Sequence, residues 1–162
     1  MTTSLTQLGS AVGALLKERR HTIAVSESSA GGLINAALVA VPGASAYYLG
    51  GGVIYTVTGR EALLRIGRQD VTGMRSASEP YAALLARTVR GNLGTTWGLS
   101  ETGASGPSGN RYGDAAGHAC IAVSGPVEAV ITVETGSAVR EANMWEFARR
   151  ALELLESCLR KS

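Results

Sequence analysis

The sequence predicts an α/β fold, a three-layer α/β/α arrangement with a mostly parallel sheet and an antiparallel hairpin, on three observations. Helical and strand-like segments alternate through the first hundred residues. Short β-branched runs border glycine-rich turns, and two strand-like runs near the carboxyl end flank a five-residue turn. The chain has 162 residues, 45% apolar and 17% charged, which suits one well-filled core, so a single domain over 1–162 is expected. Fifteen Lys and Arg against thirteen Asp and Glu leave a formal charge of +2, scattered evenly. That balance argues against a nucleic-acid groove or a polybasic membrane patch.

Leu5, Leu8, Val12, Leu15 and Leu16 recur at helical spacing and predict an amphipathic helix over 4–19. Thr22 to Ser26 reads as a short first strand, after which Gly31-Gly32 opens an apolar helix through about Ala40. Val41-Pro42-Gly43-Ala44-Ser45 breaks that helix. Gly50-Gly51-Gly52 then precedes a second strand over 53–56, and glycines there suggest close backbone approach. Thr58 is placed to cap a helix through Arg65, and Ser78-Glu79-Pro80 starts another over 81–92 that Gly94 ends. Trp97 to Ser100 is a third strand, followed by a long polar loop from Thr102 to Gly117. His118–Val123 and Ala129–Glu134 read as a hairpin, and 139–159 as a closing amphipathic helix.

Cys120 and Cys158 have neither metal-type spacing nor a disulfide framework and read as buried thiols in a reducing compartment. Lys17, Arg19 and Arg20 follow the apolar positions of the first segment, the reverse of a signal peptide's order, and no stretch reaches membrane-spanning length. The expected location is cytoplasmic, with neither membrane nor nucleic acid as partner.

In an open α/β sheet, ligands bind beyond the carboxyl ends of the strands. The turn Ser26-Glu27-Ser28-Ser29-Ala30-Gly31-Gly32, the segment after Tyr55 and the loop after Ser100 are therefore expected to share one edge. Such a turn can expose a hydroxyl while aiming N–H groups at an anion, as acyl transfer requires; equally, Ser28 and Ser29 can simply cap the next helix. Glu27 fits either an acid–base group or a solvated charge. Tyr55 can donate to a substrate or to Ser28, or be a core tyrosine. Arg60 can clamp a phosphate bidentately or lie on a helix face. The small-residue run Thr102-Gly103-Ala104-Ser105-Gly106-Pro107-Ser108-Gly109 can cradle a phosphate or a carbonyl oxygen, although it lacks a P-loop ending. A serine–histidine–aspartate triad would have to use His118, which is more simply a structural donor.

Taken together, the Ser28 turn, Pro42-Gly43-Ala44-Ser45, Tyr55 to Arg60 and Thr102-Gly103-Ala104-Ser105-Gly106-Pro107 resemble, in order and spacing over nearly the whole chain, the CinA carboxy-terminal domain family. That family's pattern runs Ala-Glu-Ser-Cys/Ser-Thr-Gly-Gly, Pro-Gly-Ala-Ser, Tyr-Ser-Asn-x-x-Lys, Thr-Gly-x-x-Gly-Pro and a Gly-Asp-Arg before the last helix. The resemblance implies deamidation of nicotinamide mononucleotide to nicotinic acid mononucleotide and ammonia, with a small-molecule nucleotide substrate, no metal or other cofactor, and a homodimer. It makes Ser28 the nucleophile with Tyr55 beside it, and places Glu27, Ser29, Gly31, Gly32, Thr102, Gly103, Gly106 and Arg140 around the substrate, Arg140 as a phosphate ligand. N–H groups near Gly31 and Gly103 are expected to hold the oxyanion.

The departures bear on chemistry. The family's lysine, its activating base, is Arg60 here, and a guanidinium does not readily take a serine proton. The threonine of the glycine turn is Ala30, the asparagine after the tyrosine is Val57, and Met144 stands where an arginine follows Arg140 by one turn. Glu101 brings a carboxylate where the family has a small or apolar residue, as a substitute base or a partner for Arg60. Two functions remain open: an amidohydrolase of a nicotinamide nucleotide, and a nucleotide-binding module without turnover or with an altered substrate.

Overall fold

In the computed structural model, which describes residues 2–162, helix α1 (Leu5–Arg19) begins at a capping box. The Ser4 hydroxyl accepts from the Gln7 N–H at 3.2 Å while the Gln7 side chain accepts from the Ser4 N–H at 2.9 Å, so two otherwise orphaned donors are satisfied. Strand β1 (Ile23–Glu27) leads through the Ser28 turn into α2 (Leu33–Val39), and β2 (Tyr48–Val53) follows. A short helical turn α3 (Val57–Gly59) continues directly into a π-helical turn, Arg60–Leu64. Helix α4 (Glu79–Leu93) is capped by Ser78 and closed by left-handed Gly94. The chain ends through β3 (Trp97–Ala104), β4 (His118–Ser124), β5 (Ala129–Glu134) and α5 (Arg140–Lys161).

The five strands form one sheet in the order β2-β1-β3-β4-β5. β2, β1 and β3 are parallel; β3, β4 and β5 are antiparallel neighbours. Helices cover both faces, and strand alternation sorts the side chains between them. Ile23, Val25, Trp97, Leu99 and Ile121 meet α1, α2 and α5 in the larger core, where Leu16, Leu38, Phe147, Leu152 and Leu155 are fully buried. Ala24 packs with Leu85 and Val89 of α4 on the other face, as do Cys120 and Ala122 with Ala82 and Ala86. Complete burial of side chains such as Leu152 stabilises by about 1.5–3 kcal/mol each. Cys120 and Cys158 are buried and unpaired, and no helix among the described residues is long and apolar enough to cross a membrane.

Three elements differ from the sequence expectation. β2 occupies 48–53, so Gly50, Gly51 and Gly52 lie inside the strand and Tyr55 beyond it. The glycines are there because β2 runs tightly beside β1: a Cβ on Gly51 would run into the Val25 carbonyl and the Asn35 amide oxygen. Thr56, not Thr58, caps the following turn, its hydroxyl accepting from the Gly59 N–H at 3.1 Å. β3 runs on to Ala104, because Thr102, Gly103 and Ala104 pair with Cys120, Ala119 and His118 of β4. The polar loop therefore starts at Ser105.

Candidate active site

The turn between β1 and α2 is held by two buried carboxylates. Glu27, the last residue of β1, accepts from the N–H groups of Gly32 (2.8 Å), Ile34 (3.2 Å) and Asn35 (2.7 Å) and from the Asn35 side-chain amide (2.6 Å). It thereby caps α2 from within the sheet, a favourable place for an anion. Burial pushes the Glu27 carboxyl above its ordinary pKa, against these N–H bonds. Glu101 reaches the same turn from β3, accepting from the N–H groups of Ser28 (3.0 Å) and Ala30 (2.8 Å) and from the Ser29 hydroxyl. It is wholly buried, and desolvation raises its pKa to about 7 in spite of those bonds, with the neighbouring Glu27 charge adding to the rise.

Gly31 and Gly32 take left-handed conformations, φ +68° and +103°, which a side chain would strain and which turn the chain sharply into α2. The Gly31 N–H bonds the Ser28 carbonyl at 3.0 Å and the Gly32 N–H is held by Glu27. The N–H groups of Ser28, Ala30, Gly31 and Gly32 are thus taken by the protein's own carbonyl and carboxylates, whereas that of Ser29 has no partner among the described residues. Gly103 lies within β3 opposite Ala119. The Ser28 hydroxyl, half-buried, has no hydrogen-bond partner among the described residues, whereas that of Ser29 is committed to Glu101.

Three further segments surround this turn. The Ile54 N–H bonds the Glu27 carbonyl at 2.7 Å, so the chain leaving β2 passes directly beside the end of β1 and carries Tyr55, which is 59% exposed. Arg140, the first residue of α5, donates to the Tyr55 hydroxyl at 2.8 Å and to the Gly106 carbonyl at 2.6 Å. One turn on, Asn143 is buried and donates to the carbonyls of Ser105 (2.9 Å) and Ser137 (2.8 Å). The next residue, Met144, lies against the turn itself, its Cε 2.6 Å from where a Cβ on Gly31 would stand. The Ser28 turn, Tyr55, Gly106 and the start of α5 are thus brought together at the carboxyl ends of β1 and β3. Sequence reading missed Asn143; a polar residue three positions after Arg140 on the inward face of an amphipathic helix is the signal it left.

Other expected site residues lie apart. Thr102 faces α4, buried, its hydroxyl accepting from the Ala77 N–H at 3.3 Å. Arg60 is buried in the π-helical turn, its Nε donating to the Ile66 carbonyl at 3.3 Å, and opens into a cleft lined by Val57, Arg68, Tyr81, Arg111 and others that excludes the Ser28 turn. Glu101 projects to the sheet face carrying Leu99, whereas Arg60 packs with the α4 side, so the expected Glu101–Arg60 pair does not form. His118 lies outside any triad: its ring nitrogens are 2.5 Å from Glu134 Oε1 and 2.7 Å from the Ala77 carbonyl, both acceptors. That arrangement fits the doubly protonated ring. Burial opposes the charge, but the Glu134 and Ala77 bonds and nearby Asp114 together hold the His118 pKa above its usual value.

Comparison with known proteins agrees with this architecture. A CinA-like protein of Acaryochloris marina is 39% identical over 119 residues, 74% of this chain and 28% of that protein. One from Gloeobacter violaceus is 41% identical over 121 residues, 75% of this chain and 28% of its own length. The chain thus spans little more than a quarter of these relatives. Among solved structures, a competence-damaged protein (CinA) superfamily protein from Klebsiella pneumoniae superposes with a TM-score of 0.91 at 21% identity, covering 99% of this chain and 100% of that one. The competence/damage inducible protein CihA from Agrobacterium tumefaciens gives 0.86 at 23% identity, over 98% and 99%. At such identities these structures establish the fold. Residues 5–159 match the CinA C-terminal domain, and the chain belongs to that family.

Proposed function

We propose that this chain is an amidohydrolase of a nicotinamide nucleotide, metal-independent, with Ser28 as its nucleophile. The observation that carries the reading is the Ser28 hydroxyl, left without an internal partner on a turn whose Ser28, Ala30, Gly31 and Gly32 N–H groups and second serine hydroxyl are engaged by Glu27, Glu101 and the turn's own carbonyl. A rigid turn that frees one hydroxyl at a sheet's carboxyl edge is the placement a serine nucleophile needs.

In this reading Ser28 Oγ attacks the carboxamide carbon. The C–N bond breaks as the amide nitrogen takes up the serine proton and leaves as ammonia. Water then hydrolyses the ester on Ser28, restoring the hydroxyl and releasing the nucleotide with a carboxylate in place of its carboxamide. Tyr55 accepts its hydrogen bond from Arg140, which leaves its own O–H free to hydrogen-bond, without transferring its proton, to the departing nitrogen or the carbonyl oxygen. Arg60 is not the base for Ser28 in this reading, because a guanidinium does not readily accept a serine proton. Glu101 acts as a positioning group for the turn. The homodimer implied by the family belongs to the same proposal, with edge strand β2, where Leu49 and Val53 are exposed, as its surface.

The purified chain incubated with nicotinamide mononucleotide should release ammonia and nicotinic acid mononucleotide in equal amounts. Retention of the nucleotide unchanged, at protein concentrations where it binds, would discard the reading in favour of a binding module.

A further inference from the structure

The strongest charge arrangement outside the Ser28 turn lies in the cleft beside the π-helical turn. Its volume is about 280 Å³, and three arginines, Arg60, Arg68 and Arg111, line it together with a single carboxylate, Glu61. Arg60 is only 6% exposed, yet among the described residues no carboxylate lies within ion-pair distance of it. Its one hydrogen bond, Nε to the Ile66 carbonyl at 3.3 Å, fixes the plane of the guanidinium while leaving both terminal nitrogens free. A guanidinium held in the wall with no protein counter-charge and with its terminal nitrogens open to the cleft is placed to receive an anion.

The opposite wall is held in place. Arg75 grips Asp114 through two bonds, of 2.5 and 3.1 Å, and so ties the 105–117 loop to the segment before α4. The guanidinium carbons of Arg75 and Arg111 are 5.6 and 5.1 Å from the Tyr112 ring centre, and the Tyr112 hydroxyl accepts from Arg111 at 3.0 Å. Arg111 therefore faces the cleft from an ordered support. The π-helical turn supplies the remaining wall, and such turns recur where a helix is distorted to present a functional group.

We propose that this cleft binds a phosphate monoester, with the terminal nitrogens of Arg60 donating bidentately to two phosphate oxygens and Arg68 and Arg111 supplying the balancing charge. The forked guanidinium matches that geometry where an ammonium would act only as a point charge, which gives arginine at position 60 a chemical reason. The inference does not depend on hydrolysis at Ser28, and its test reads binding alone.

Calorimetric titration of the intact chain with inorganic phosphate and with a nucleoside monophosphate should give saturable binding to both, and none to the corresponding nucleoside. Arg60→Gln should weaken phosphate binding by about 10- to 100-fold, the loss expected for charge-assisted hydrogen bonds, and Arg60→Lys should fall between the two. Because Arg60 is buried, the surface variant Arg68→Ala/Arg111→Ala provides an arm that keeps the fold, with a loss of about tenfold expected. Arg160→Gln, at the far end of α5, should change nothing. Equal affinity for nucleotide and nucleoside, or unchanged phosphate affinity in the folded double variant, overturns the proposal.

Discussion

Glu101 carries the clearest conflict between burial and charge in the molecule, and the conflict makes it measurable. Its carboxylate sits wholly inside the fold and accepts from Ser28, Ser29 and Ala30, but desolvation holds its pKa at about 7, above the 4.5 of an exposed glutamate. A folded-state pKa raised in this way means that the folded state binds the proton more tightly than the unfolded chain. Its stabilising contribution is therefore fully present below about pH 4.5 and is lost as pH rises through about 7. Glu101→Gln keeps an oxygen for the two N–H groups and remains neutral, so it should gain stability relative to the parent as pH rises from 5 to 8. Urea midpoints at both pH values check this; a difference that stays constant across the range contradicts it. His118, also raised, loses its contribution in the same direction as pH rises, and that slope should persist in the variant. From sequence, Glu101 was visible as a carboxylate out of pattern. Its partners lie more than seventy positions away, so the N–H groups it holds could not be read from spacing.

Among the elements, those with a strong local signal match their expected places and those fixed by tertiary contact move. Apolar spacing located α1, and Ser78 with Pro80 and Gly94 marked the two ends of α4 by short-range chemistry. β2 moved because β-branched composition pointed to Val53–Thr56, whereas pairing with β1 selected the glycine-rich stretch that can approach the Val25 carbonyl. Gly51→Ala should accordingly destabilise the fold by about 1–3 kcal/mol through backbone clash. Gly91→Ala, in α4 with open space where the Cβ would stand, should stabilise it by about 0.5–1 kcal/mol. Chemical denaturation of both variants tests the contrast, and a Gly51→Ala protein as stable as its parent would refute the account of β2. The site segments followed the same rule. Strand–turn–helix order placed the Ser28 turn and Tyr55 at one edge from sequence, while Thr102 went to the opposite side of the sheet because one residue along a strand reverses the face.

Over the whole molecule, alternation of helix and strand pointed to three layers with a mostly parallel sheet and an antiparallel hairpin; the fold has the three layers, with a mixed sheet parallel over β2-β1-β3 and antiparallel over β3-β4-β5. What alternation could not specify is how α5 returns to the site. Arg140 and Met144 are far from the Ser28 turn in sequence, and only the packing of Phe147, Ala151 and Leu155 against the sheet brings them back to it. The central claim is that this assembly frees the Ser28 hydroxyl for chemistry while committing that of Ser29 to support. The most direct test compares ammonia release from nicotinamide mononucleotide by Ser28→Ala and Ser29→Ala proteins of confirmed fold. Ser28→Ala should lose at least about 10³-fold in rate, as removal of a nucleophile does, and Ser29→Ala, missing one hydrogen bond to Glu101, less than about 10²-fold. A Ser28→Ala protein that keeps the parent rate, or a Ser29→Ala protein that alone loses it, would contradict the account.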